Sequence, residues 1–341
     1  MSEPLGIEIR NLYKIFGVRP RDYVDAVRRG MTKVELNQKH GHVLGLRDIN
    51  ISVEPGSIQV VMGLSGSGKS TLIRHINRLI EPTAGEIVID GQDVMGMSPA
   101  ELRAFRRFRT AMVFQKFALL PHRTVVDNVA FGLEVQGVSQ AERHRAAMNW
   151  IGRVGLAGYD SRYPSQLSGG MQQRVGLARA LANDAPILLM DEAYSALDPL
   201  IRYDMQTVLL ELQKEFRKTI IFITHDFDEA LRIGDRIALL RDGSIIQEGT
   251  GQEMVLHPAD EYVSSFVQHV DRAKVVQVAS VMQPLTAEAQ GPTIPGRANL
   301  AEALRMMSAE GVDRLTVLDQ AGRAIGLVPM TRAVAVAAGG S

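Results

Sequence analysis

An α/β fold built around a phosphate-binding loop is predicted for this chain of 341 residues by three observations. The stretch Gly63-Leu64-Ser65-Gly66-Ser67-Gly68-Lys69-Ser70-Thr71 fits the pattern G-x-x-x-x-G-K-[ST]. Several apolar runs of strand length end in polar or acidic residues, as expected of parallel strands covered on both faces whose C-terminal ends meet ligands. A second phosphate-type motif, Leu167-Ser168-Gly169-Gly170-Met171-Gln172, lies about a hundred residues downstream of the first.

The first motif has the flanks it needs. Residues 57–62 (SIQVVM) read as a short buried strand and residues 71–79 (TLIRHINRL) as the helix that follows. Glycines let backbone N–H groups curl around phosphate oxygens, and the helix N-terminus adds partial positive charge. Lys69 is expected to reach the β- and γ-phosphates of a bound nucleotide, and the Ser70 hydroxyl to bind Mg²⁺.

Residues 187–192 (ILLMDE) form an apolar run closing on two carboxylates. Alone, it would pass for a core strand ended by solvated acids. With the phosphate loop upstream, Asp191 is placed to hold Mg²⁺ and Glu192 to polarise an attacking water. The run 218–224 (KTIIFIT) delivers His225 and Asp226 at the same edge; a lone strand-end histidine is usually structural, but beside the other motifs His225 is expected to contact the γ-phosphate. The run 111–114 (AMVF) delivers Gln115 likewise, a signal with little specificity by itself. Ser168 stands at the N-cap of a helix over about 170–183, a second anion site or, taken alone, an ordinary Ser-capped helix.

Composition bounds the partners. Lys+Arg equals Asp+Glu at 38 each, so no global basic field draws the chain to nucleic acid. The absence of Cys excludes disulfides and thiolate metal sites. The first ten residues are too polar for a signal peptide, and no apolar run approaches the roughly eighteen residues of a membrane helix. Any membrane crossing is therefore expected from another subunit.

Together these motifs, in this order, resemble the ATP-binding-cassette (ABC) ATPases over about residues 7–270. The resemblance implies a P-loop NTPase domain over 1–270, with a RecA-like core, an antiparallel β subdomain and a helical subdomain over about 99–164. It implies a head-to-tail homodimer with two composite ATP–Mg²⁺ sites. In each, Ser168, Gly169, Gly170 and Gln172 of one chain would clamp the γ-phosphate held by Lys69 of the other. Ser195 and Asp198, in Ser195-Ala196-Leu197-Asp198, look like the loop that crosses this interface. Phe16 looks like the aromatic that stacks on adenine, ahead of Tyr13, and Gln115 joins Ser70 and Asp191 around the metal while linking the site to a membrane partner. The pair Ala193-Tyr194 departs from the Pro-Phe of many importer ATPases, but the carboxylates before it are unchanged and no loss of activity is expected. The apolar patch 117–122 (FALLPH) is either core or part of a groove for a transmembrane partner.

An insertion over 17–45 separates Gly17 from Leu46 and is expected to form a helical hairpin with Tyr23, Val24, Val27 and Val34 on its apolar face. With the residues around the phosphate loop and residues 79–83 (LIEPT), it resembles the ATPase subunits of bacterial glycine betaine, choline and related quaternary-amine importers. That subfamily implies transmembrane permease subunits, an external substrate-binding protein acting indirectly, and a peripheral location on the cytoplasmic face of the inner membrane. Rival readings are a soluble cassette protein of translation or DNA repair, which would carry two cassettes or a coiled-coil insertion, and a non-enzymatic nucleotide sensor, which would lack Glu192 or His225.

Beyond about residue 271, a Gly/Pro-rich loop (291–296), an amphipathic helix over about 300–307, strands over 314–318 and 324–328 and a final helix from about Thr331 resemble one cystathionine-β-synthase (CBS) type module. Such modules usually come in pairs, so the single copy is either regulatory or a dimer-stabilising appendage. Leu300, Ala303, Leu304 and Met307 have the spacing of one buried helix face, which would pack across the dimer or against the module's own strands.

Overall fold

The computed structural model of the chain describes residues 3–115, 118–195, 197–285 and 291–339. The chain divides into two units, Met1–Ile246 and Gln247–Ser341.

The first unit is organised by a six-stranded sheet in the order Ser244–Gly249, Arg236–Arg241, Ile58–Met62, Thr219–Thr224, Ile187–Asp191, Thr110–Val113. Strand Ile58–Met62 pairs in parallel with both Thr219–Thr224 and Arg236–Arg241, and Ile187–Asp191 pairs in parallel with its two neighbours. The three central strands are buried at every position. That is why they read as unbroken apolar runs rather than as alternating ones. A four-stranded antiparallel sheet, Val43–Val53, Ile7–Phe16, Ala84–Ile89, Gln92–Asp93, lies beside it. One core joins both sheets: Leu12, Ile49 and Ile87 of the antiparallel sheet pack with Ile187, Ile221 and Ala238 of the parallel one. Leu72, Ile73 and Ile76 of the helix Lys69–Ile76 belong to the same core. Each such side chain contributes about 1.5–3 kcal/mol by leaving water, and together they fix the helix whose N-terminus faces the phosphate loop.

The helical layer consists of Val125–Gln136, Gln140–Arg153 and Gly169–Ala182, which pack on one another. The helix Pro99–Phe108, expected to belong with them, touches Val125–Gln136, whose Gln136 Nε2 donates to Arg107 O at 3.0 Å, and also puts Phe105 and Leu102 into the core shared by the two sheets. Helical periodicity locates such a face but does not name its partner. Of the patch at 117–122, Phe117 lies outside the described residues; Leu119 and Leu120 are half-buried, while Ala118, Pro121 and His122 are exposed.

The insertion is helical as expected, with a turn of 3₁₀ helix at Pro20–Tyr23 and α-helices Val24–Arg28 and Lys33–His40. Its apolar face differs. Val34 is 61% exposed, whereas Leu36 is fully buried with Val24, Val27, Tyr13, Ile15 and Leu44. Thr32 caps the helix reciprocally with Glu35, and this cap sets the rotation that turns Leu36 inward.

The second unit begins earlier than the boundary expected near residue 270, within the edge strand Ser244–Gly249. Gln252 accounts for the shift: its Oε1 accepts from Gln277 N at 2.7 Å and its Nε2 donates to Ser280 Oγ, tying the helix Gly251–Leu256 to the tail. The loop expected over 291–296 contains a strand, Thr293–Pro295, which runs parallel to Arg314–Leu318; that strand in turn pairs antiparallel with Ala324–Pro329. Thr293–Pro295 is an edge strand of this sheet, where Pro295 is tolerated, and the next donor along it, Gly296 N, bonds Leu318 O at 2.8 Å. In the helix Leu300–Glu310, Leu300, Ala303 and Met307 are fully buried within this unit, against Arg314–Leu318 and the neighbouring helices, and Leu304 is half-buried, so the first three are taken up by the unit's own packing.

Candidate functional site

The phosphate loop is held open by its glycines. Gly63 (φ +147°) lies so close to the backbone that an added Cβ would fall 2.2 Å from Leu240 O, and Gly68 (φ +108°) precedes the helix at Lys69. The helix starts two residues before the expected Thr71, so Lys69 and Ser70 form its first turn. It has no side-chain cap, and its first N–H groups turn toward the loop. Ser67 Oγ is buried beside them with no hydrogen-bond partner. A cradle of unsatisfied donors of this kind fits a phosphate group.

The strand ends supply the rest. Ser70 Oγ donates to Asp191 Oδ1 at 2.8 Å, and Arg74 lies 3.3 Å from Asp191 Oδ2. Asp191 is almost fully buried and ends the strand Ile187–Asp191, and this serine–carboxylate pair supplies the hard oxygen donors that Mg²⁺ takes. Among the described residues no cluster of three His, Cys, Asp or Glu could hold a metal by itself, so such an ion would complete its shell with water and phosphate oxygens.

Glu192 leaves the strand with φ +46°, a conformation that costs a non-glycine residue about 1–2 kcal/mol. Its amide donates to Ile223 O at 3.2 Å, and its carbonyl accepts from Ser195 N and Oγ at 3.3 and 3.0 Å. These bonds hold the turn, and the turn aims the carboxylate into the site. There it lies 3.6 Å from Lys69 Nζ, accepts from Gln115 Nε2 at 2.9 Å, and stands 3.9 Å from His225 Nδ1. Lys69 is buried, and its ammonium also donates to Gly63 O and Leu64 O at 2.8 and 3.1 Å. Burial holds its pKa below the usual lysine value, partly offset by Glu192.

Phe16, expected on adenine, is 40% exposed and packs edge-on to Gly45, where any Cβ would meet its ring at 2.7 Å. Tyr13 is buried under Arg28. A cavity of about 370 Å³ runs from Phe16 and Gly45 to Lys69, Ser70, Gln115 and Glu192. Lys33 of the insertion lines it too. Sequence reasoning missed this residue, because only the packing of Leu36 brings the insertion beside the loop.

The second motif stands apart. Ser168 Oγ accepts from Met171 N at 3.4 Å as the N-cap of Gly169–Ala182, and Ser168, Gly169 and Gly170 line a cavity of about 560 Å³ with Leu197, Asp198 and Ile201. This cavity shares no lining residue with the first. Gln172, expected in the same clamp, turns away and donates to Pro164 O and Leu167 O at 3.0 and 3.3 Å, so it supports the loop. Asp198 caps the helix Pro199–Phe216. Ala196 lies outside the described residues. The departing pair is core: Ala193 and Tyr194 are buried, Tyr194 packs against Phe222, and burial raises its hydroxyl pKa.

A model of the family described as ABC transporter matches residues 46–195. The chain is 49% identical to the glycine betaine transport ATP-binding protein OpuAA of Bacillus subtilis, over 96% of this chain and 77% of that protein. It is 47% identical to the glycine betaine/proline betaine transport system ATP-binding protein ProV of Salmonella typhimurium (94% and 80% covered). It is 44% identical to the trimethylamine N-oxide transport system ATP-binding protein TmoW of Ruegeria pomeroyi (96% and 95%). Among solved structures, a dimeric ATP-binding cassette in a post-hydrolysis state with ADP and Pi is similar at 33% identity and a TM-score of 0.62, over 72% of this chain and 98% of that one.

Proposed function

This chain belongs to the ABC transporter family as an ATP-hydrolysing importer subunit, and from that premise we propose that it powers uptake of a small solute whose nitrogen carries a fixed positive charge. Glycine betaine, proline betaine, choline and trimethylamine N-oxide are the candidates, supported by similarity over 80% of the chain or more to proteins named for such cargo. Transmembrane permease subunits carry the solute, an external binding protein delivers it, and this chain sits at the cytoplasmic face. No helix among the described residues is long and apolar enough to cross a membrane.

The observation that carries the catalytic assignment is the meeting of Lys69, Ser70, Asp191, Glu192 and Gln115 at one end of the parallel sheet. Phe16 stacks on adenine, the backbone of 63–71 cradles the phosphates, and Lys69 neutralises the β- and γ-oxygens. Ser70 and Asp191, with Gln115, would hold Mg²⁺, which neutralises charge on the β- and γ-phosphates. Glu192 accepts the proton of the attacking water, and His225 supports the γ-phosphate. Two chains pair head to tail, so that Ser168 to Gly170 of one close the site of the other, with Ser195 and Asp198 between them. The single tail, read as a CBS-type module from its strand–strand–helix order, adjusts activity to ionic strength.

Uptake of radiolabelled glycine betaine, choline and trimethylamine N-oxide, by cells with and without this chain, tests the solute. Loss of uptake for one or more identifies the cargo; unchanged uptake of all three would remove the solute assignment and leave the ATPase standing.

A further inference from the structure

Lys33 is a charged residue lining the nucleotide cavity that no motif accounts for. It stands at the first position of the helix Lys33–His40, where a cation opposes the helix dipole, so helix stability does not explain it. The cap formed by Thr32 and Glu35 fixes the first turn, and Leu36, fully buried one turn on, fixes the helix to the strands beside Phe16.

The partner of Lys33 is Asp242, with Nζ 3.5 Å from Oδ1; their side chains are 38% and 72% exposed. Such a pair holds weakly and exchanges readily. Its place, by contrast, is firmly set. Asp242 begins the turn whose next residue, Gly243, donates to Ser67 O at 3.0 Å and accepts from Arg47 N at 2.7 Å. An added Cβ on Gly243 would meet the backbone of Gly45 at 2.8 Å. Through these bonds the carboxylate is registered to the phosphate loop on one side and to the wall beneath Phe16 on the other. Lys33 is thereby held over the stretch between ring and loop.

Resting on the assignment of this cavity to ATP, we infer that Lys33 is a nucleotide-binding residue supplied by the insertion, meeting the ribose–α-phosphate end of the bound nucleoside polyphosphate. The nucleotide's negative charge competes with Asp242 for the ammonium, and Arg241 Nε, 3.9 Å from Asp242 Oδ2, keeps that carboxylate partnered. The insertion then serves as an added wall of the ATP site.

Titration calorimetry with ADP on the full chain tests this without turnover. Lys33→Ala is expected to weaken ADP binding about 3–10-fold and to flatten its salt dependence, as for one partly exposed charge contact. Lys33→Arg should keep the affinity, and Asp242→Ala should match or exceed wild type, because it frees the ammonium. Lys33→Ala should melt with the wild-type protein. Wild-type ADP affinity in Lys33→Ala, or a loss in Asp242→Ala as large as that in Lys33→Ala, overturns the inference. Lys69→Ala separates the two levels: if it alone loses ADP, only the role of Lys33 fails, and if it too binds normally, the cavity itself is misassigned.

Discussion

Two helices in this chain begin with glycine-rich, phosphate-type motifs, and they are built differently. The helix Lys69–Ile76 has no side-chain cap, but its start is surrounded by Lys69, Asp191, Glu192 and Gln115. The helix Gly169–Ala182 is capped by its own Ser168, and its cavity is lined by Gly169, Gly170, Arg174, Leu197 and Asp198, the last engaged as the cap of the next helix. One end gathers a lysine, a serine, two carboxylates and a glutamine. The other offers the first turn of a helix and the hydroxyl that caps it. The first end presents charged groups to a ligand and the second presents a capped backbone, so the proposed pairing of the two ends across a dimer can be broken from either side.

The largest effect is expected at the equipped end. Glu192→Gln keeps the shape and the contact with Gln115 but removes the base, and should lower ATP hydrolysis by on the order of 10²–10⁴ while leaving ATP binding intact. Near-normal turnover in the purified variant would assign the water to another group. At the other end, Ser168→Arg fills the cavity and should cut hydrolysis by on the order of 10²-fold, leaving single-chain ADP affinity unchanged. Mixing Ser168→Arg with Lys69→Ala should restore part of the activity, since one composite site per mixed dimer is whole. Absence of rescue in a mixture shown to contain mixed dimers would argue that each chain works alone.

Gly63→Ala sharpens the contrast in backbone geometry. Its Cβ would collide with Leu240 O, a steric and φ penalty of about 2–4 kcal/mol that should lower the melting temperature and weaken ADP binding together. Gly169→Ala meets nothing within 4 Å and should melt like the wild type.

A smaller, pH-dependent effect distinguishes the helices too. His75, buried in the Lys69–Ile76 helix with Nδ1 2.6 Å from Thr71 O, has its pKa pushed down to about 4 from the usual 6.5, chiefly by burial. The unfolded chain therefore takes up the proton first. Stability from this group is present above about pH 6.5 and is lost as pH falls toward 4, by about 3 kcal/mol. Melting curves across that window should show a steeper acid loss in wild type than in His75→Gln; equal slopes would remove His75 as the cause.

The phosphate loop, the strand runs that lead to Gln115, Asp191 and His225, and the capped helix at Ser168 are legible in the amino-acid sequence. These are local: burial on both faces demands unbroken apolar runs, and a tight phosphate turn demands glycine at set spacing. The tail's helix near 300–307 and strands near 314–318 and 324–328 are also legible, and in the structure they run over Leu300–Glu310, Arg314–Leu318 and Ala324–Pro329. Tertiary structure alone decided what those elements touch. Leu36 rather than Val34 faces inward, because a reciprocal cap sets the helix rotation. The helix Pro99–Phe108 joins the sheets, because the space between them takes Phe105. Thr293–Pro295 becomes a strand because Arg314–Leu318 offers it an edge, and Gln247–Val270 joins the tail through Gln252. Lys33 reaches the nucleotide cavity for the same kind of reason. A charge at a helix start carries no address in sequence, and only the packing of Leu36 and the turn at Asp242–Gly243 give it one.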